Sequence, residues 1–129
     1  MISFEPFKIE GGSPIYAQMV LYIKRGIVSG AVADGDELPS RRALSALLGV
    51  NPNTVQKAYR ILEEEGLVTS RTGAASYIVL DGDKAERVRR ELLESDVGYV
   101  VRAMRQSGVP LEELQTLIKK LWEEGGEHE

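Results

Sequence analysis

Apolar positions along this chain follow two different periods. Ile15, Met19, Ile23 and Ile27 fall four apart and make one stripe of a helix. Ser13-Pro14 just before them predicts an N-cap followed by proline at the first helical position, and Gly30 predicts the stop. Ala31 to Leu38, with Asp34-Gly35-Asp36 inside it, reads as a loop. Ser40 then caps a short helix whose expected buried side is Leu44, Leu47 and Leu48, ended by Gly49. Asn51-Pro52 opens a third helix with Val55, Ala58, Tyr59 and Leu62 on one side and Gly66 as its stop. A short helix, a glycine-containing turn and a longer helix in that order predict a helix-turn-helix.

After Gly66 the period changes to that of strands. Leu67 to Arg71 and Ser76 to Leu80 are β-prone, and Thr72 to Ala75 between them reads as a turn, so a β wing is expected. Phe7-Lys8-Ile9 is a candidate for a further short extended piece. From about Asp81 helical spacing returns with Val88, Leu92, Leu93, Val97, Val100, Val101 and Met104, until Gly108-Val109-Pro110 breaks it. The last helix carries Leu114, Leu117, Ile118, Leu121 and Trp122, with Glu112 and Glu113 in its first turn and Lys119 and Lys120 placed near its end. Gly125 to Glu129 is expected to fray. The pattern predicts a mainly α protein with a small β wing: a winged helix-turn-helix over 1–80 and a short two-helix dimerisation region over 81–129.

Composition removes several classes of function. Without cysteine, and with His128 as the one histidine, neither a thiolate or histidine metal cage nor a histidine-based triad can be assembled, so no catalytic or metal residues and no cofactor are expected. No glycine loop of the phosphate-cradling kind is present. The first residues lack the basic and apolar regions of a signal peptide, and no apolar run approaches the roughly 20 residues of a membrane span. A cytoplasmic protein without a membrane partner is expected. The net charge of −4 is unevenly placed: residues 1–80 hold eight Lys/Arg against eight Asp/Glu, and residues 81–129 hold eight against twelve. The N-terminal part is therefore neutral overall, and it can bind phosphate if its cations share a face.

The chemistry sits at the start of the third helix. A helix that reads DNA offers short polar side chains at its N-terminal end, where free N–H groups also attract phosphate. Asn51, Asn53, Thr54, Gln56 and Lys57 occupy that end. Asn and Gln suit adenine edges, and Lys suits guanine edges or phosphate. Arg41 and Arg42 sit in the first turn of the preceding helix, where cations oppose the helix dipole, so phosphate clamping is the expected role. Arg71 and Gly73 of the wing are candidates for backbone or minor-groove contact. Each residue also has a plainer role: a surface arginine pair is usually only solvated, Asn51 is first a helix cap, Glu63-Glu64-Glu65 reads as a solvated helix end, and Trp122 as packing.

The string Leu38-Pro39-Ser40-Arg41-Arg42-Ala43-Leu44-Ser45, continuing through Leu48-Gly49-Val50-Asn51-Pro52-Asn53-Thr54-Val55-Gln56-Lys57-Ala58-Tyr59 and Leu62 to Val68, resembles the GntR family of bacterial regulators, as do Pro14-Ile15-Tyr16 and Ser29-Gly30 upstream. The resemblance implies DNA contacts from Arg42, Asn51, Asn53, Thr54, Gln56, Arg71 and Gly73. Arg41 departs from it, standing where the family usually has Glu. Thr72, Ala75 and Ser76 also depart from the usual wing, so the wing is the weakest part of the match. About 50 residues follow the wing, too few for the large effector or aminotransferase-like domains of other branches. The two-helix tail and Asn-Pro-Asn-Thr-Val resemble the YtrA branch, which implies a dimerisation tail and repression of transporter operons.

Dimerisation has a physical argument of its own. Two helices enclose little core, yet the tail carries more than ten large apolar side chains. Either the winged domain of the same chain or a second copy covers them. The copy is the simpler outlet, through Leu92, Val97, Val100, Val101, Met104, Leu114, Leu117, Ile118, Leu121 and Trp122. The expected function is a homodimeric, sequence-specific repressor on a palindromic double-stranded DNA operator. The alternative is sequence-tolerant architectural DNA binding, which a strongly basic protein would suit better. An effector, if one exists, is not identified by any residue.

Overall fold

The computed structural model describes residues 1–71 and 75–128. It divides into two units, residues 1–92 and residues 93–129. The sequence reading divides the chain at 80/81, but the first turns of the fourth helix belong with the winged unit.

In the first unit, α1 (Ile15–Ser29) buries Met19, Val20, Ile23 and Ile27. Its N-cap is Pro14 rather than Ser13, and no side chain caps it. Gly30 ends it at φ 86°, a left-handed turn that glycine adopts without the Cβ penalty. The chain then doubles back so closely that the Val32 N–H donates 2.9 Å to the Gly26 carbonyl. A Cβ added at Gly26 would lie 2.5 Å from Val32 Cγ2. That contact is the reason for a glycine inside an amphipathic helix.

The expected loop before Ser40 holds a strand, β1 (Glu37–Leu38). With β2 (Val68–Ser70) and β3 (Ser76–Ile78) it forms an antiparallel sheet of order β1-β3-β2. The register pairs Val68 with Ile78, Thr69 with Tyr77, and Leu38 with Ser76. Two residues are too few to show a period, so β1 left no local signal; long-range pairing defines it. Phe7-Lys8-Ile9 forms no strand. Instead Phe7 joins Phe4 and Tyr22 in an aromatic cluster, with ring centroids 4.9–5.8 Å apart.

α2 (Arg41–Leu48) is capped by Ser40, whose hydroxyl accepts from the Ala43 N–H at 3.1 Å, and it ends at Gly49 in the left-handed region. Only Leu44 is fully buried; Leu47 is 56% exposed, contrary to expectation, because an eight-residue helix buries one narrow stripe. α3 (Pro52–Glu64) packs against α1, α2 and β2 and buries Val55, Ala58, Tyr59 and Leu62, as expected. With Leu38, Leu67, Val68 and Ile78 these make one core. Each Val, Leu or Ile side chain of this core taken fully from water stabilises the fold by about 1.5–3 kcal/mol.

α4 (Gly82–Gln106) begins in the first unit. Val88 joins the core, the Lys84 ammonium donates 2.7 Å to the Gly66 carbonyl, and Arg87 donates 3.0 Å to the Glu65 carbonyl. The carboxylates expected to be merely solvated are engaged as well. Glu65 pairs with Lys24 at 2.7 Å, Glu63 accepts from the Ser70 hydroxyl at 2.8 Å, and Glu64 lies 3.8 Å from Arg60.

In the second unit, residues 93–106 of α4 are followed by a turn through Gly108 (φ 72°) and by α5 (Leu111–His128). α5 continues through Gly125 and Gly126, past the point where fraying is expected. Glycine lowers helix stability by roughly 1 kcal/mol per residue without forbidding the conformation. Lys119 and Lys120 therefore stand in the middle of α5, not at its end.

Candidate nucleic-acid interface

α3 starts with a cap that also selects what its leading end exposes. The Asn51 Oδ1 accepts from the Asn53 N–H at 2.8 Å, and the Asn51 carbonyl accepts from the Thr54 N–H at 2.9 Å. Pro52 follows at the first helical position, where its missing N–H costs nothing. Asn53, Gln56 and Lys57 are exposed and Thr54 is half-buried. Asn51 is exposed too, but its oxygen serves the cap, which leaves its NH2 group to donate. On the opposite side Val55 and Leu62 have no exposure at all. The helix thus separates a packed side from a polar side whose amides are open to solvent.

Arg60 continues that polar side, at i+7 from Asn53 and i+4 from Gln56, and is exposed. Its spacing from the two amides is a signal that the sequence reading passed over.

Ser40 sets the start of α2 and places Arg42 in solvent. Arg41 is half-buried, with its Cζ 5.3 Å from the centre of the Tyr59 ring. Among the described residues the Arg41 Nε is buried without a hydrogen-bond partner. Tyr59 in turn donates its hydroxyl to the Pro39 carbonyl at 2.6 Å. Burial holds the Tyr59 phenol well above its usual ionisation range, while the Arg41 charge pulls the other way and loses. The hydroxyl therefore remains a donor at any ordinary pH.

Lys57 and Arg71 have aromatic partners as well. The Lys57 ammonium lies 4.0 Å from the centre of the Tyr16 ring, and the Arg71 Cζ lies 5.1 Å from that of Tyr77. The Arg71 N–H donates 2.8 Å to the Ala75 carbonyl across the hairpin. Gly73, the other wing candidate, lies outside the described residues. The tyrosine partners left no mark in the sequence, because each is distant along the chain from its cation or, for Tyr77, across a hairpin.

Of the tail residues assigned to dimerisation, Leu92 and Leu114 are already buried and Met104 is half-buried. Val97, Val100, Val101, Leu117, Ile118, Leu121 and Trp122 are exposed, Trp122 at 83%. Leu93, Tyr99 and Leu111 are exposed too. Among the described residues no helix is long and apolar enough to cross a membrane.

A helix-turn-helix joined to a three-stranded winged sheet is an architecture of DNA-binding transcription regulators. Residues 15–78 match the family described as bacterial regulatory proteins, gntR family, and the chain belongs to that family of regulators, which are not enzymes. It is 33% identical to the HTH-type transcriptional repressor YtrA of Bacillus subtilis (strain 168), over 94% of this chain and 92% of that protein. It is 30% identical to the transcriptional regulator YhcF of the same organism, over 92% of this chain and 98% of the relative. A solved GntR family regulator from Listeria monocytogenes superposes with a TM-score of 0.79 at 32% identity, covering 87% of this chain and 98% of the other.

Proposed function

We propose that this protein is a cytoplasmic repressor that binds a palindromic operator as a homodimer. The observation that carries the reading is the division of α3: Val55, Ala58, Tyr59 and Leu62 are buried, while Asn53, Gln56 and Lys57 stay exposed at its leading end. In this reading Asn53 and Gln56 contact base edges, with Thr54 and the Asn51 NH2 beside them. Arg41, Arg42 and Lys57 neutralise phosphates, and Arg71 and Gly73 approach the duplex from the wing. The likeness to a repressor along nearly the whole chain supports the sign of regulation. The YtrA resemblance points to a transporter operon as the target.

The exposed apolar residues of the second unit support the homodimer. Val97, Val100, Val101, Leu117, Ile118, Leu121 and Trp122 are of the kind that partner burial stabilises. A twofold dimer presents two copies of α3 to half-sites about 10 base pairs apart, or a multiple of that.

Selection from a randomised duplex pool tests the reading. The expected product is one palindrome, bound with a steep dependence on salt. A pool that stays random while binding persists would favour sequence-tolerant architectural binding instead. The balanced charge of residues 1–80 argues against that outcome.

A further inference from the structure

Three cations assigned to the DNA surface each rest on a tyrosine from another element: Lys57 of α3 on Tyr16 of α1, Arg41 of α2 on Tyr59 of α3, and Arg71 after β2 on Tyr77 of β3. All three separations fall within the roughly 6 Å over which a ring face attracts a cation. Long basic side chains otherwise sample many rotamers in solvent, and that freedom is lost when a phosphate or base edge fixes them. A side chain already held on a ring loses less of it when DNA binds. Arg41 is also half-buried, with its Nε out of solvent, which further restricts its freedom.

We infer that Tyr16 and Tyr77 are positioning residues for DNA recognition: their rings hold Lys57 and Arg71 in place before the duplex arrives. The inference rests on the DNA-binding reading above. Tyr59 does the same for Arg41, but it is also a core residue and the tether of Pro39, so its variants report on stability first. Tyr16 and Tyr77 are only half-buried, and each offers its cation the face of its ring. A ring that held Lys57 away from DNA would have the opposite effect, so the direction of change is itself diagnostic.

The test uses the full chain and the duplex that the wild-type chain selects. Position 16 is replaced by phenylalanine and then by phenylalanines of increasing fluorination, which keep the ring's shape while weakening the negative charge of its face. Phenylalanine is expected to bind like wild type. The most fluorinated ring is expected to bind roughly two- to five-fold more weakly at an unchanged melting temperature. In a Lys57→Met background the same series is expected to be flat. In the DNA-free protein, proton NMR is expected to show the Lys57 methylenes beside the ammonium shifted upfield by the Tyr16 ring, and Tyr16→Leu should abolish the shift. The corresponding series at Tyr77 is read against Arg71→Met.

Affinity that is constant across the fluorinated series, or that rises along it, overturns the positioning role. So does equal sensitivity in the Lys57→Met background. A wild-type chain that selects no duplex at all overturns the regulator reading and this inference with it. Wild-type binding combined with a flat series overturns only the inference.

Discussion

The Tyr59 hydroxyl donates a 2.6 Å hydrogen bond to the carbonyl of Pro39, so α3 holds the start of the helix before it with one of its own side chains. α2 is only eight residues long, too short to be stable alone. Its placement therefore depends on α3. Tyr59→Phe leaves the Pro39 carbonyl without its donor and is expected to cost about 1 kcal/mol. Thermal unfolding should show this as a fall of roughly 4–8 °C. The pH dependence has a definite sign. The folded state keeps the Tyr59 proton to higher pH than the unfolded chain, whose tyrosine titrates near 10. This contribution is complete below about pH 10 and is lost as the pH rises further. Denaturant midpoints of wild type and Tyr59→Phe should therefore converge above that pH, and parallel curves would contradict the assignment.

Gly26 is expected to resist the change that helix propensity favours. Alanine inside a helix gains roughly 1 kcal/mol over glycine. Here its methyl would meet Val32 Cγ2 at 2.5 Å, and the β-branched Val32 has few other rotamers. Overpacking of this kind costs about 1–3 kcal/mol. Gly26→Ala should lower the melting temperature, and Gly26→Ala with Val32→Ala should lose less than the two single changes together.

Asn51 caps α3 and, in the proposed reading, offers its NH2 group to DNA; substitution separates the two roles. Asn51→Ala loses the cap and is expected to cost about 1 kcal/mol. Asn51→Ser keeps a capping oxygen and removes the NH2 group. It should melt within a few degrees of wild type yet bind the operator more weakly. Equal operator affinity for Asn51→Ser and wild type would confine Asn51 to the cap.

Arg42 and Gln56 should fail in different ways. Arg42→Ala is expected to weaken binding to all duplexes alike and to lower the salt slope by about one. Gln56→Ala is expected to cost about 1–3 kcal/mol on the selected site and to relax preference at one base position. Titrations against selected and scrambled duplexes at several salt concentrations separate the two. Unchanged operator affinity in both variants would mean that α3 is docked wrongly.

Val97, 57% exposed in the second unit, tests the proposed dimer. Val97→Glu places a charge where a partner's apolar surface is expected, and desolvating it unpaired is costly. Sedimentation should show the shift from dimer to monomer, with palindrome affinity lost and the winged unit still folded. A wild-type chain that sediments as a monomer would remove the dimer from the proposal.

The helices and most of their ends were legible in the chain itself, though not the cap of α1 or the end of α5. Caps at Ser40 and Asn51, stops at Gly30 and Gly49, and the stripe of Val55, Ala58, Tyr59 and Leu62 are local features, set by backbone geometry and helical period within a few residues. The same local signals put Asn53, Gln56 and Lys57 on a polar side. Tertiary structure alone decided the rest. It made Glu37–Leu38 a strand by pairing it with residues far along the chain, and it required glycine at position 26 because Val32 returns there. It seated Lys57 and Arg71 on tyrosine rings, drew the first turns of α4 into the winged unit, and left Leu47 in solvent. Period and capping depend on neighbours in sequence. Pairing, close approach and burial depend on which distant segments meet, and no local pattern encodes that.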